Sequence, residues 1–371
     1  MRSKKIVVAG HICLDITPIM PEGLKGGKDF FKPGNLVTMD GIDVSTGGAV
    51  ANTGIAMHLL GAEVMLMGKI GNDDFGRLLM QHIDKYRVEG SKDMIIVPNA
   101  QTSYTIVISP RNEDRMFLHC PGANDTFGTN DIDYSKIRDA ALFHFGYPPL
   151  MARMYENDGD ELVRMFQDVK ALGVATSLDM AAYEDNVRAG GADWDRILRR
   201  VLPYVDFFMP SAEELCHMLE PELYKEWKER AGGDDVLKYI DIEKEIVPLA
   251  KKALSYHAKV VVVKCGCRGM YYATTDYRHM GDIGANASIN LSAWADKSAW
   301  IKAYTPAEIK NATGAGDVSI AAFLVAALEG MSIRDCARLA VAEGASCLEG
   351  YDALDALRTL PELQKMYLMG Y

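Results

Sequence analysis

The stretch Asn311-Ala-Thr-Gly-Ala-Gly-Asp317, continued by the apolar residues 318–328, constrains what the rest of the chain can build. Residues 318–328 contain no Gly or Pro and are almost wholly apolar, so they read as a helix buried on every side. Such a helix needs layers of structure around it. Ahead of it Gly314 and Gly316 bracket Ala315, a turn whose backbone can lie close to a ligand. The first turn of a helix leaves N–H groups without intrahelical partners, and the aligned peptide dipoles add roughly half a positive charge there. That is an anion site made of backbone. Asp317 stands at its mouth. Two roles suit it: an N-cap, worth on the order of 1 kcal/mol, or a functional acid. The stretch alone does not separate them.

Elsewhere strand-like runs alternate with helical ones. Lys4-Lys-Ile-Val-Val-Ala9 ends at Gly10; residues 62–68, 141–146, 173–179, 205–210 and 259–264 repeat the pattern with helical segments between them. This alternation predicts an α/β fold, a Rossmann-like three-layer αβα arrangement with a central, mostly parallel sheet. Residues 18–35, rich in Pro and Gly, read as loop. Residues 36–39 and 42–45 read as short strands around Asp40-Gly41, a hairpin dipeptide. Residues 101–120 read as a second hairpin around the charged turn Arg111–Arg115. Together, residues 16–45 and 101–120 predict a small β-sheet lid on a single domain spanning 1–371. The charged residues 220–245 read as a solvated insertion. Residues 276–304, with Trp294 and Trp300, read as an irregular loop packed on the body. Residues 332–348 are helical, with Ala340, Ala342, Gly344 and Ala345 forming a flat small-residue surface.

Composition narrows the classes of function. The 371 residues are 49% hydrophobic and 25% charged, a globular balance. A formal net charge of −11 favours neither nucleic acid nor an anionic membrane as partner. No apolar run reaches the roughly 18 residues of a membrane span. Seven scattered cysteines, an odd number, point to a reducing cytoplasm. Cys265-Gly-Cys267 is too close a pair for a usual zinc site and reads as strand-end structure, as do His11 and Cys13. His58 and His144 read as structural. The loop Gly10-His-Ile-Cys-Leu-Asp15 lacks Gly-x-Gly-x-x-Gly, which argues against a dinucleotide-binding dehydrogenase.

A second glycine-rich stretch, Thr46-Gly-Gly-Ala-Val-Ala-Asn52, opens a helix that ends at Gly61. Asn52 is polar in a helix of small and apolar residues, so it either satisfies a backbone group or points at a ligand. Asp15 lies just past the first strand, at the carboxyl end where ligands of open α/β sheets sit. It serves there as a substrate ligand or as a turn cap.

The two glycine stretches resemble the two signatures of the ribokinase-like (PfkB) family of carbohydrate kinases. Gly47-Gly48, Asn52, Gly61 and Gly71, with Asp73, Phe75 and Gly76, match the first; Thr313-Gly314-Ala315-Gly316-Asp317, with Ala321-Ala322, matches the second. Asp15, Gly122-Ala-Asn124, Glu214 and Gly266-x-x-Gly269 fall in the expected order, so the resemblance covers nearly the whole chain. Ala312 departs from the second signature, and Ser211 stands where the Asn-x-x-Glu motif has Asn. The resemblance implies transfer of the γ-phosphoryl of ATP to a hydroxyl of a small carbohydrate. Asp317 would be the general base, and the N–H groups of Gly314, Ala315 and Gly316 the anion hole. Asp15, Gly47, Gly48, Asn52 and Asn124 would bind substrate. Lys264, Gly266, Gly269, Gly314, Gly316, Ala342 and Gly344 would border the nucleotide, with Ala345 beside them. Glu214 would help organise the Mg2+ shell. The resemblance allows activation by K+ and a homodimer through the lid sheet. The same signatures serve nucleoside kinases, for which Tyr104, Phe117 and Phe127 leave a base slot open, and non-catalytic sugar- or nucleotide-binding regulators. Arg111, Arg115 and Arg153 either meet an acidic sugar or a sugar phosphate, or are solvated charges.

Overall fold

The computed structural model describes residues 4–22, 33–88, 90–109, 116–183 and 188–369. Its strands are β1 (Lys5–Gly10), β2 (Cys13–Ile19), β3 (Gly41–Gly47), β4 (Glu63–Met67), β5 (Lys69–Gly71), β6 (Ile95–Val97), β7 (Tyr104–Ile108), β8 (Met116–Cys120), β9 (Leu142–Gly146), β10 (Ala175–Leu178), β11 (Phe207–Phe208), β12 (Val260–Lys264), β13 (Met270–Thr274) and β14 (Ser298–Ile301). Eight of them form one sheet in the order β14-β13-β12-β11-β10-β9-β1-β4. From β4 to β12 the neighbours are parallel; β13 and β14 add antiparallel at one edge.

The strand sequences explain why this sheet lies in the middle. Side chains alternate faces along a strand, so a sheet covered on both sides needs apolar residues at every position. On β1, Ile6 and Val8 enter one hydrophobic core while Val7 and Ala9 enter the other; Val260 and Val262 divide from Val261 and Val263 in the same way on β12. The first core also holds the helices Ala49–Leu59, Ala315–Leu328 and Ile333–Cys347; the second holds Asp160–Ala171, Trp194–Val201, Ala212–Leu219 and Val247–Ser255. The helix Ala315–Leu328 is buried from Asp317 to its end, as an all-apolar surface requires.

The lid is a separate four-stranded sheet in the order β3-β2-β7-β8. Its register sets Ser45, Asp15, Thr105 and His119 in one row across the strands, and Val44, Ile16, Ile106 and Leu118 in the next. Adjacent rows face opposite sides. Ile16, Val44 and Tyr104 pack with Phe75 against the first core, which leaves the row of Asp15, Thr105 and His119 on the other side.

Several expectations change. The lid begins at Cys13 and ends its first pair at Gly47, so Asp15 and Gly47 lie on lid strands. Residues 36–39 form no strand; Leu36 is 95% exposed, so an apolar run had nothing to cover. Asp40-Gly41 closes against Ile19 of β2 instead of joining two short strands. Residues 220–245 include the helix Pro221–Ala231, whose buried Trp227 donates to Glu245 Oε1 at 3.0 Å; one face of this segment is therefore core. Within 276–304, Ser298–Ile301 joins the main sheet as β14 and Trp294 is buried. A four-residue strand is too short to announce itself by period. The predicted turn at Arg111–Arg115, and Gly23, Gly26 and Gly27 of the loop, lie outside the described residues.

Candidate active site

Because the strands from β1 to β12 run parallel, the segments that leave β1, β9, β10 and β12 emerge at one end of the sheet. The helix Ala315–Leu328 begins there. Its N-cap is Gly314, in the left-handed region at φ 79°, and a β-carbon on it would collide with Ala353. Only glycine fits by backbone and by space. No side chain caps this helix, and Asp317 is its third residue. The cap reading of Asp317 is thereby removed.

Its carboxylate is held from three sides instead. Asp317 is 3% exposed. Oδ2 accepts from Asn52 Nδ2 at 2.9 Å; Oδ1 accepts from the Tyr147 hydroxyl at 2.7 Å and from Thr53 Oγ1 at 3.3 Å. Asn52 and Thr53 come from the helix Ala49–Leu59, which packs beside the helix of Asp317. The polar Asn52 in an apolar helix thus orients an acid. Its Oδ1 is buried with no hydrogen-bond partner among the described residues.

Tyr147 was not legible as a site residue. It follows β9 with φ 68°, a left-handed conformation that costs a non-glycine residue on the order of 1 kcal/mol. That backbone turns its side chain to Asp317. Burial, then the charges of Asp317 and Asp179, push its phenol well above the usual range, so it stays a donor.

A second charged group lies next to the start of this helix. Lys264, the last residue of β12, donates to Asp179 Oδ1 at 2.6 Å, and its side chain lies over the Gly316 backbone. Burial alone would lower the ammonium pKa, but Asp179, Glu214 and Asp317 outweigh it and hold it above the usual value. Burial drives the Asp179 carboxyl upward against the opposing pull of Lys264. Asp179 Oδ2 is buried without a partner among the described residues. Glu214 sits in a capping box: Ser211 N donates to Glu214 Oε2 at 2.7 Å, and Glu214 N to Ser211 Oγ at 3.1 Å. Ser211, the departure from the motif, is therefore a helix cap.

On the lid side, Cys13 Sγ donates to Asp15 Oδ1 at 3.2 Å, and Thr105 Oγ1 donates to Cys13 Sγ at 3.7 Å. Gly47 lies against that carboxylate, where a β-carbon would collide with it. Gly48 starts the helix of Asn52 at φ 86°, pressed on His11. Asn124 is placed differently from the other expected substrate ligands. It is 0% exposed; its Nδ2 donates to Ile12 O at 2.8 Å and its Oδ1 accepts from Ile12 N at 3.3 Å. Both ends of the amide are engaged by backbone, so Asn124 clamps the link between β1 and β2, with one amide N–H and one carbonyl lone pair left over. Gly266 and Gly269 lie in the turn after β12, where Gly269 passes close to the backbone of Ile301. Gly344 lets its helix approach Ser319, and Ala342 is buried. Arg153 is exposed and donates to Thr126 O at 3.5 Å, a solvated charge.

Comparison with known proteins gives the family and the fold. Residues 3–359 match the family described as pfkB family carbohydrate kinase. An uncharacterized sugar kinase of Archaeoglobus fulgidus is 25% identical over 303 residues, covering 82% of this chain and 98% of that protein. The structure of Arabidopsis thaliana ribokinase with ribose and ATP is similar with a TM-score of 0.68 at 20% identity, covering 98% of each chain. An E. coli protein named as a ribokinase II, solved with ATP and Mg2+, gives a TM-score of 0.67 at 22% identity and 99% of each chain.

Replacing Asn124 with Leu leaves the buried N–H and C=O of Ile12 unpaired. Each such group costs roughly 1–3 kcal/mol, so Asn124→Leu is expected to lose about 2–4 kcal/mol of stability in urea unfolding. A loss under about 0.5 kcal/mol would show that the clamp is not needed.

Proposed function

The chain belongs to the pfkB family of carbohydrate kinases, and from that premise we propose that it transfers the γ-phosphoryl of ATP to a hydroxyl of a small sugar. The observation that carries this reading is Asp317, fixed by three side-chain donors at the open start of a glycine-capped helix. The backbone N–H groups of Gly314, Ala315 and Gly316 would hold the transferring phosphoryl group, and Lys264 beside Gly316 would add positive charge. Such groups are fixed before the reaction and need little reorganisation. Asp317 would take the proton of the attacking hydroxyl, while Asp15, Asn52 and the backbone at Gly47 and Gly48 would orient the sugar. Gly266, Gly269, Ala342 and Gly344 would border the nucleotide. The lid would exclude water, which suppresses ATP hydrolysis.

Asp179 Oδ2, unpartnered and buried, and Glu214 beside Lys264 fit a Mg2+ shell. Among the described residues no three acidic, His or Cys side chains gather into a metal site. Mg2+ is generally held mostly by phosphates and water, and here it would supply charge neutralisation on the phosphates.

A nucleoside acceptor is less well served. Phe127 is buried against Phe145 and Tyr104 is covered edge-on by Phe75 at 5.4 Å; of the three rings only Phe117, 53% exposed on β8, lies open to stack a base. A regulator without activity would have no need of an acid held this firmly. All seven cysteines are free, in keeping with a cytoplasmic enzyme.

The first test is turnover. A general base contributes roughly 10²–10⁴-fold. Asp317→Asn, folded by circular dichroism, is expected to lose at least 10² in kcat, and near-normal phosphorylation would remove Asp317 from the role. K+ is proposed as an activator on the family resemblance alone. Exchange of K+ for tetramethylammonium should then lower turnover several-fold; no change would exclude the cation. A homodimer through the lid is supported by the edge strand β8, whose Met116 and Leu118 are exposed. Light scattering should give twice the chain mass and Leu118→Lys the monomer; a monomeric wild type would end this idea.

A further inference from the structure

Near Asp317 lie two imidazoles that no role above uses. His11, in the link between β1 and β2, is 1% exposed, and neither ring nitrogen has a partner among the described residues. Its ring lies 5.1 Å from that of His119 on β8 and stacks 6.1 Å from that of Tyr147, whose hydroxyl reaches Asp317. His119 Nε2 is buried without a partner among the described residues as well, and so is Oδ1 of Asn52, whose amide N–H reaches Asp317. Each unpaired buried group costs roughly 1–3 kcal/mol. Native proteins rarely leave several together unless something else completes them.

The direction of the existing bonds decides what that something is. Thr105 Oγ1 has a single proton. It donates to Cys13 Sγ at 3.7 Å. The 3.0 Å contact between Thr105 Oγ1 and His119 Nδ1 therefore has the ring donating, which leaves His119 Nε2 as a bare acceptor. Asn52 donates its amide N–H to Asp317, which leaves Oδ1 as an acceptor. Asp15 and Asp317 accept only. Burial holds both imidazoles below their usual value, His11 furthest, so they are neutral near pH 7. The charged or titrating groups that act on Asp15, His11 and His119 are Asp317, Asp125 and the two imidazoles themselves; among the described residues no Lys or Arg joins them. An oxyanion placed here would face lone pairs and carboxylates. A hydroxyl would face four acceptors.

We propose that His11 and His119, with Asp15 and Asn52, form a subsite that reads the hydroxyl hydrogens of an uncharged sugar and excludes sugar phosphates and sugar acids. The proposal rests on the reading of the Asp317 cleft as the acceptor site of a sugar kinase. The Asp15–Thr105–His119 row fixes the imidazole tautomer, so Thr105 is a positioning residue.

The test uses the full chain and two independent readouts, calorimetric binding of sugars without nucleotide and coupled ATP turnover. The probes are uncharged aldoses and ketoses, their 6-phosphates and the matching aldonic acids. At least one uncharged sugar is expected to bind ten or more times as tightly as its charged counterparts. His119→Leu should weaken that sugar at least tenfold, in KM as in binding, while the KM for ATP stays within twofold. His119→Gln, which restores an acceptor, should regain part of the loss. Binding with this pattern but without turnover would sink the kinase reading and leave the subsite standing. The proposal is overturned if no uncharged sugar binds, if charged sugars bind equally well, or if His119→Leu leaves affinity unchanged.

Discussion

The carboxylate of Asp317 ties the site together. Three donors from two other elements reach it: Asn52 and Thr53 from one helix, Tyr147 from the end of β9. A buried carboxylate is costly unless fully hydrogen-bonded, so the approach of these elements is set by the need to satisfy it. The apolar helix behind Asp317 then locks the position, because it is buried on all sides and cannot rotate without exposing core. A reactive oxygen placed this way is fixed by packing as much as by its bonds.

The charges around it are divided by function. On one side, the helix start and Lys264 make a positive region. On the other, Asp15, Asn52 Oδ1 and neutral imidazoles make a region of acceptors. Low polarity strengthens both. Asp179 and Glu214 temper Lys264, so the positive region is not left unbalanced.

Much of this could be read before the fold was known, for a physical reason. Strand–helix alternation and continuous Val runs such as Val260–Val263 are local, and they predicted the layered sheet. Gly314 and Asp317 are adjacent in the chain, so the anion site could be derived from one stretch. Asn52 stood out because a polar side chain in an apolar helix needs a cause. Tyr147, Asp179, His11 and His119 gave no such signal: each acquires its role from a residue far away in sequence, and His11 had read as strand-end structure. Asn124 was picked out by motif order, yet its partner is the backbone of Ile12, 112 positions earlier. Residues 36–39 misled because apolar character was taken for burial.

The two-residue link between β1 and β2, clamped by Asn124, sets the leverage of the lid. Asp15 stands three residues beyond Ile12, and Ile19, the end of β2, seven. At about 3.3 Å per residue these are arms of roughly 10 and 23 Å. A swing of about 10° around the clamp would carry the rim of the lid by about 4 Å and Asp15 by less than about 2 Å. The mouth can open enough to pass a small molecule while the acid nearest the pivot keeps its aim.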